Sequence, residues 1–462
     1  MLDQNLIHDT LSAILENGGD FGELFVENRI SSAIDMTDGA VETIRSGRTY
    51  GAGIRGFLGA KSVYAYTNDL SKDALIQTAV NVGKALKSSD RTKDMVQWSK
   101  NEYPIIHYIH LFPSEIRKEP KVSAMRLAHE GASNYSDLIS QVQVWFVDYD
   151  QEILVANTEG IWAEDRRVRT RLMVQAVASK GSEKETGFEG PGAAKGTEFL
   201  QEIDPKRAGA EAARVASRMI QATHAPAGTM PVIISNAFGG VIFHEACGHS
   251  LEATSVAKGS SVFAGKLGQK IAAECVSAVD DGTIANAWGS NHLDDEGVPT
   301  QRNILIEQGI LKGYLVDKLG GRKMKMEPTG CSRRQDYQLA PTSRMSNTFI
   351  MPGKDIPEEI IADTEYGLYA KKLGGGSVMP ETGEFNFSVN EGYLIEKGRI
   401  TKPVRGATLI GKGHEILLKI DRVANDLAFA QGNCGSLSGS VPASLGQPTI
   451  RVSEMIVGGR NE

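Results

Sequence analysis

Apolar residues recur at helical intervals at the start of the chain, where Ile7, Leu11, Ile14 and Leu15 line one side of MLDQNLIHDTLSAILENGG. The same spacing returns in LSKDALIQTAVNVGKAL at Leu75, Ala79, Val82 and Leu86, and predicts a second helix. A third is predicted over 204–222, with Ala212, Val215, Ala216, Met219 and Ile220 on its apolar side. Between these, GELFVEN and TRLMVQAVAS read as strands, and VETIRSGRTYGAGIRGF as strand segments punctuated by glycine turns. QVQVWFVDYDQEILVANTEG reads as a hairpin turning near Asp150. The Pro/Gly-rich THAPAGTMP marks a boundary, dividing the chain into 1–223 and 224–462. The second part opens on a short buried strand, PVIIS. Beyond residue 300, NILIEQGILKGYLVD, EFNFSVNEGYLIEKGRI and GATLIGKGHEILLKI read as strands broken by glycine turns. No internal repeat is visible.

Composition narrows the class. The 462 residues are 41% hydrophobic and 23% charged, an ordinary globular balance, and no apolar run reaches the ~18–20 residues of a bilayer span. The acidic, amphipathic N-terminus lacks the features of a signal peptide, so a cytoplasmic protein is expected. A net charge of -7 argues against a nucleic-acid binder. Four cysteines in so long a chain do not make a disulfide framework, leaving each as a buried thiol or a chemical group.

The chemistry gathers in FHEACGHSLEA. His244, Glu245 and His249 follow the order H-E-x-x-x-H on a segment that Asn236 is placed to cap. Residues five apart sit roughly 140° apart on a regular helix, so the two imidazoles could share one ion only if the helix widened by a residue. Gly248 gives the backbone freedom to do so. A satisfied pair of core histidines is the plain alternative. A catalytic zinc site needs a third ligand and an open position. Cys434, between Gly432 and Gly435 in a glycine-rich loop, is the strongest third ligand; Cys247 is a weaker one, since it would crowd a single turn. Cys275 is expected to pack in a strand and Cys331 to sit in a polar loop. His292 with Asp294, Asp295 and Glu296 could form a ligand cluster, though an acidic turn is the commoner outcome.

HEACGHSLEA resembles the signature of the TldD/PmbA peptidases. DDEGVPTQRNILIEQGILKGYLVD, PTGCSRRQDYQLAPTSRMSNTFIMPG, GYLIEKGRITKPVRGATLIG and GNCGSLSGSVPASLGQP resemble family blocks in family order, and GGDFGELFVEN and GAGIRGF fit its first domain more loosely, so the similarity spans nearly the whole chain. One departure is Cys331, where the family pattern leads one to expect asparagine; it leaves open the bonding around Arg333 and Arg334. The resemblance implies one zinc ion per active site on His244, His249 and Cys434, with Glu245 as general base on its water. It also implies peptidase action on small or unfolded peptides inside a chamber, in a homodimer or in a heterodimer with a metal-free relative, the N-terminal domain forming chamber wall and dimer contact.

The expected architecture is therefore α+β: an N-terminal mixed α/β domain, then a strand-rich C-terminal domain carrying the metal-binding helix. For peptide contacts, Gly375 and Gly376 in GGGSVMPETGEFNF permit close backbone approach, with a flexible turn as the alternative. Arg334, Asn347 and Thr348 are further substrate-binding candidates, against salt-bridging and turn roles. Two other functions compete: a non-catalytic scaffold or modulator subunit with a structural metal, and a hydrolase with Cys434 as nucleophile.

Overall fold

The computed structural model describes residues 2–86, 95–100, 103–379 and 382–460. The first part is built on four long antiparallel strands, Phe21–Thr37, Ala40–Leu58, Ile139–Asn157 and Ile161–Lys180. Phe21–Thr37 lies between Ala40–Leu58 and Ile139–Asn157, and Ile161–Lys180 continues the sheet; shorter strands, Lys61–Thr67 and Glu183–Glu189, extend its two sides.

Alternation along these strands assigns the faces. Even-numbered Leu24, Ala52, Ile54, Leu154 and Ala156 pack under the helices Gln4–Glu16 and Lys72–Leu86, against Ile7, Leu11, Ile14, Leu75 and Val82. Farther along the same face, Ile34, Val142, Val144, Phe146 and Leu172 pack under Glu119–Ser133 and Pro205–Met219. Odd-numbered residues look the other way. Phe25, Ile153, Val155 and Ala163 form a small core with Leu293 and Tyr337 of the second part. Around it, Arg55 bridges Glu23 at 2.7 Å and Glu296 at 2.5 Å, and Arg167 reaches Asp295 at 2.5 Å.

The second part contains an eight-stranded and a six-stranded sheet. Gly228–Ile234 runs parallel to Tyr366–Met379 and antiparallel to Ile450–Gly458 in the larger one. In the smaller one, Ala428–Ser436 pairs with Gly439–Gln447, which runs parallel to Asn347–Ile350. The histidine segment lies in the main core, burying Val241, Ile242, Phe243 and Leu251. The α+β architecture is the observed one, with a long, mainly antiparallel first sheet whose helices are segregated to one face, and mixed sheets in the second part.

Several local expectations are corrected. There is no hairpin at Asp150: the strand runs unbroken from Ile139 to Asn157, and Asp150 is held mid-strand by Ser114 and Arg166. The glycines of Ala40–Leu58 do not make turns either. Gly51 and Gly53 lie within the strand, where the Tyr337 and Tyr64 side chains occupy the space a Cβ would take. GATLIGKGHEILLKI divides into a strand, Thr408–Lys412, and a helix, Gly413–Lys419. Cys275 is exposed, ahead of the strand Ala278–Asp281 rather than within one. Among the described residues, no helix is long and apolar enough to cross a membrane.

Candidate metal centre

The chain leaves Gly228–Ile234 through Ala237, whose φ of 58° turns it sharply into the histidine segment. Gly240 rests on the backbone of Gly446, an approach that any side chain would prevent. Asn236 precedes the segment without capping it; its amide donates to the Asp426 carbonyl at 2.8 Å instead. A short α-helical stretch, Val241–Phe243, widens into a π-helical turn over His244–Gly248 and tightens again over His249–Leu251. The wide turn rotates His249 beneath His244, placing the ring centroids 5.2 Å apart.

Cys434 reaches the same point from the Ala428–Ser436 strand. Its Sγ lies 3.3 Å from Nε2 of His249, and one donor atom from each of His244, His249 and Cys434 lies within 4.8 Å of the others. Ligands about 2.0–2.3 Å from one tetrahedral ion stand roughly 3.3–3.8 Å apart, so small side-chain movements would close this N,N,S set on zinc. All three residues are buried, and among the described residues Nδ1 of His244 has no hydrogen-bond partner. Burial opposes ionisation of the Cys434 thiol, but the neighbouring His244 and His249 outweigh it and hold its pKa well below the ordinary thiol value. Burial likewise opposes a charged His249, yet Glu252 and Cys434 raise its pKa well above that of a free imidazole. Both shifts favour an ionised sulfur at Cys434, the form that binds metal.

Glu245 projects from the wide turn into a groove of about 580 Å³ that His249, Glu252, Val378 and Leu437 also line. Its side chain is 31% exposed, with Oε2 3.6 Å from Nε2 of His249. Two residues not singled out in the sequence complete the arrangement. Glu252, fully enclosed, sets Oε1 3.2 Å from Nδ1 of His249, so the other ring nitrogen is left to face the cluster. Its position three residues after a candidate ligand was the available signal. Arg344 donates to the carbonyls of Cys434 and Gly439 and to Ser438, pinning the cysteine loop; nothing near it in sequence marks this.

The remaining candidates lie elsewhere. Cys247 faces the apolar core, where burial pushes its thiol pKa up. Cys331 is buried rather than polar-facing and accepts a hydrogen bond from Thr329. Among the described residues His292 joins no ligand cluster; its Nδ1 lies 2.7 Å from Asp165. Asn347 is consumed by Asp281, Ser290 and Gly289, and Thr348 by Asp280, so neither reaches the groove. Arg334 is held by Glu23, Tyr64 and the Asp295 carbonyl. Gly375 and Gly376 lie within the Tyr366–Met379 strand rather than in a turn, three and two residues before Val378 in the groove wall.

Profiles of three domains match the chain: PmbA/TldA metallopeptidase domain 1 over 22–85, the central domain over 112–220 and the C-terminal domain over 227–459. The chain is 36% identical over 454 residues to a Haemophilus influenzae protein named metalloprotease TldD homolog, covering 96% of this chain and 93% of that one. It is 32% identical to a metalloprotease of Methanothermobacter thermautotrophicus, over 98% of this chain and 99% of the relative. A Saccharolobus solfataricus relative named zinc metalloprotease TldD homolog is 32% identical over 50% of this chain and 52% of its own. Among solved structures, TldE from Thermococcus kodakarensis superposes with a TM-score of 0.76 at 19% identity, covering 98% of this chain and all of that one. A Thermotoga maritima chain described as a candidate modulator of a DNA gyrase gives 0.82 at 22% identity, with coverage of 98% and 100%. At such identities these structures speak to the fold.

Proposed function

Because the chain belongs to the PmbA/TldD metallopeptidase family, we propose that it hydrolyses peptide bonds in small or unfolded peptides, with one zinc held by His244, His249 and Cys434. The convergence of these three donors beside a groove-facing Glu245 is the observation that carries the reading. Zinc bound there would acidify a water molecule and polarise the scissile carbonyl. Glu245, one residue after His244 and open to the groove, takes the attacking water's proton and returns it to the departing amine. Glu252 fixes the ring of His249, and Arg344 fixes the loop that presents Cys434.

An extended peptide has a place to lie. Tyr366–Met379 pairs with Gly228–Ile234 only through Leu368–Ala370, so among the described residues the same side of Lys371–Met379 has no strand partner. A peptide added there would form main-chain hydrogen bonds beside Gly375 and Gly376 and run toward Val378 in the groove. The enzyme would work in the cytoplasm as one half of a dimer. Ile410 and Ile456, opposite each other across two strands, and Leu418 are exposed apolar residues suited to a subunit contact.

The proximity of a low-pKa Cys434 to His249 also suits a cysteine nucleophile, and metal dependence separates the two readings. Cleavage of an unstructured peptide should require zinc, stop with chelator and vanish in Glu245→Ala while that variant still binds zinc. Chelator-resistant cleavage would transfer the role to Cys434, and zinc retention without any cleavage would favour a scaffold subunit.

A further inference from the structure

A second cavity, of about 530 Å³, lies between the long sheet and the second part of the molecule. Its size suits a small ligand or a few peptide residues. Six arginines stand in its wall against two aspartates, so its charge balance depends on which arginines are already neutralised. Arg167 is paired with Asp165 and Asp295, Arg334 with Glu23, Arg45 with Asp35 and Arg29 with Glu27; Asp148 is claimed by Lys121. Two positive charges are left over. Among the described residues, Arg169 is bonded only to neutral groups, the carbonyls of Trp288, Val168 and Ser290 and the amide oxygen of Asn291. Among the described residues, Arg333 has a single hydrogen bond, from NH1 to the Met345 carbonyl at 2.8 Å, which leaves most of its planar fork of donors unused.

Both side chains are almost wholly enclosed, Arg169 at 1% and Arg333 at 5% exposure. Two unneutralised guanidinium groups in one enclosure are costly, since burial in low dielectric penalises each charge and each raises the penalty of the other. Burial, reinforced by Arg169 and offset only in part by Asp295, lowers the pKa of Arg333 to about 10. An anion in the cavity would relieve that penalty. The free fork of Arg333 matches the two oxygens of a carboxylate. Arg29, paired with Glu27 at 3.6 Å, adds a partly exposed third guanidinium, and Ser32 adds a buried hydroxyl without a partner among the described residues.

The cavity is also next to the metal cluster along the chain. Asn433 in its wall immediately precedes Cys434, and Ser440, also in the wall, pairs with Gly435 across the hairpin. We propose that this cavity is a carboxylate-binding site that takes an acidic side chain or the C-terminus of a peptide, with Arg333 as its direct donor and Arg169 supplying uncompensated charge. Naming a peptide as the source of the carboxylate rests on the peptidase reading; the anion preference rests on the arginines alone.

The test is titration calorimetry on the full chain carrying Glu245→Ala, so that peptide survives. Three probes are compared: an acidic unstructured peptide, the same peptide with its carboxylates converted to amides, and inorganic phosphate. The acidic peptide should bind at least about tenfold more tightly than its amide form, and Arg333→Met should remove most of that difference. Arg29→Gln, at the cavity mouth, should weaken it more modestly and decides the matter if Arg333→Met does not fold. Equal binding of the acidic and amide peptides, or an unchanged difference in the Arg29→Gln and folded Arg333→Met proteins, overturns the proposal. Phosphate bound as tightly as the peptide overturns the peptide assignment. Cleavage by the enzyme with Glu245 intact is scored separately. Zinc-dependent cleavage without carboxylate discrimination sinks the cavity alone; discrimination without cleavage sinks the peptidase reading alone.

Discussion

Replacing Glu252 by glutamine tests whether the carboxylate behind His249 is part of the metal centre. The substitution keeps the side chain's shape and removes its charge. At 3.2 Å, with an effective dielectric near 20, the attraction between Glu252 and a positively charged His249 is roughly 5 kcal/mol before desolvation. Enclosure of the carboxylate, whose own pKa is raised by burial despite His249, offsets much of this. Carboxylates placed behind metal-bound histidines contribute about 10–100-fold to metal affinity, equivalent to about 1.4–2.7 kcal/mol. Zinc dissociation constants for wild type and Glu252→Gln, measured by competition with a chromophoric chelator at one fixed pH, should differ by that factor. Circular dichroism should be unchanged, because among the described residues the carboxylate's ion pair is with His249, three residues before it. Equal zinc affinities in two equally folded proteins would refute the argument, and His249 would then owe its orientation to packing.

Acid should loosen the join between the helix Pro205–Met219 and the eight-stranded sheet. Burial works against ionised Glu211, but Arg214 and Lys372 outweigh it and lower its pKa from 4.5 to about 2. Its stabilising effect is therefore complete above about pH 4.5 and fades as pH falls toward 2; urea midpoints should decline over that window, less steeply in Glu211→Gln. Gly53→Ala would drive a methyl group into Tyr64 and the Tyr337 carbonyl, and should cost about 1–3 kcal/mol in urea unfolding. A null result there would mean that Tyr64 moves aside freely.

What could be read from the sequence divides along the range of the interactions involved. The helices beginning at Gln4 and Lys72 and ending at Met219 declared themselves because one apolar stripe faces one sheet. The strand through Asp150 and the glycine-rich Ala40–Leu58 did not, because what keeps them extended is distant: Arg166 and Ser114 for the aspartate, Tyr64 and Tyr337 for the glycines. At the site, H-E-x-x-x-H and the glycine-flanked cysteine pointed to the three residues the structure brings together. The same reading offered Asn347, Thr348 and Arg334 to the substrate, where ladder and ion-pair partners more than 50 residues away engage all three. Nor could it show that, among the described residues, Arg169 and Arg333 have no ion pair of their own, since that depends on every element surrounding them.

The ligand cluster joins residues 185 positions apart in the chain. At a synthesis rate of about 5–20 residues per second, His249 leaves the ribosome roughly ten to forty seconds before Cys434 does. Throughout that interval the nascent protein holds two histidines and no thiolate opposite them, a weak and exchangeable grip on metal. On the proposed reading, the hairpin Ala428–Gln447 is what would convert this grip into an enclosed site. A chain halted before Cys434 would carry the glutamate and both histidines without the third proposed ligand, so hydrolytic competence would wait for that hairpin.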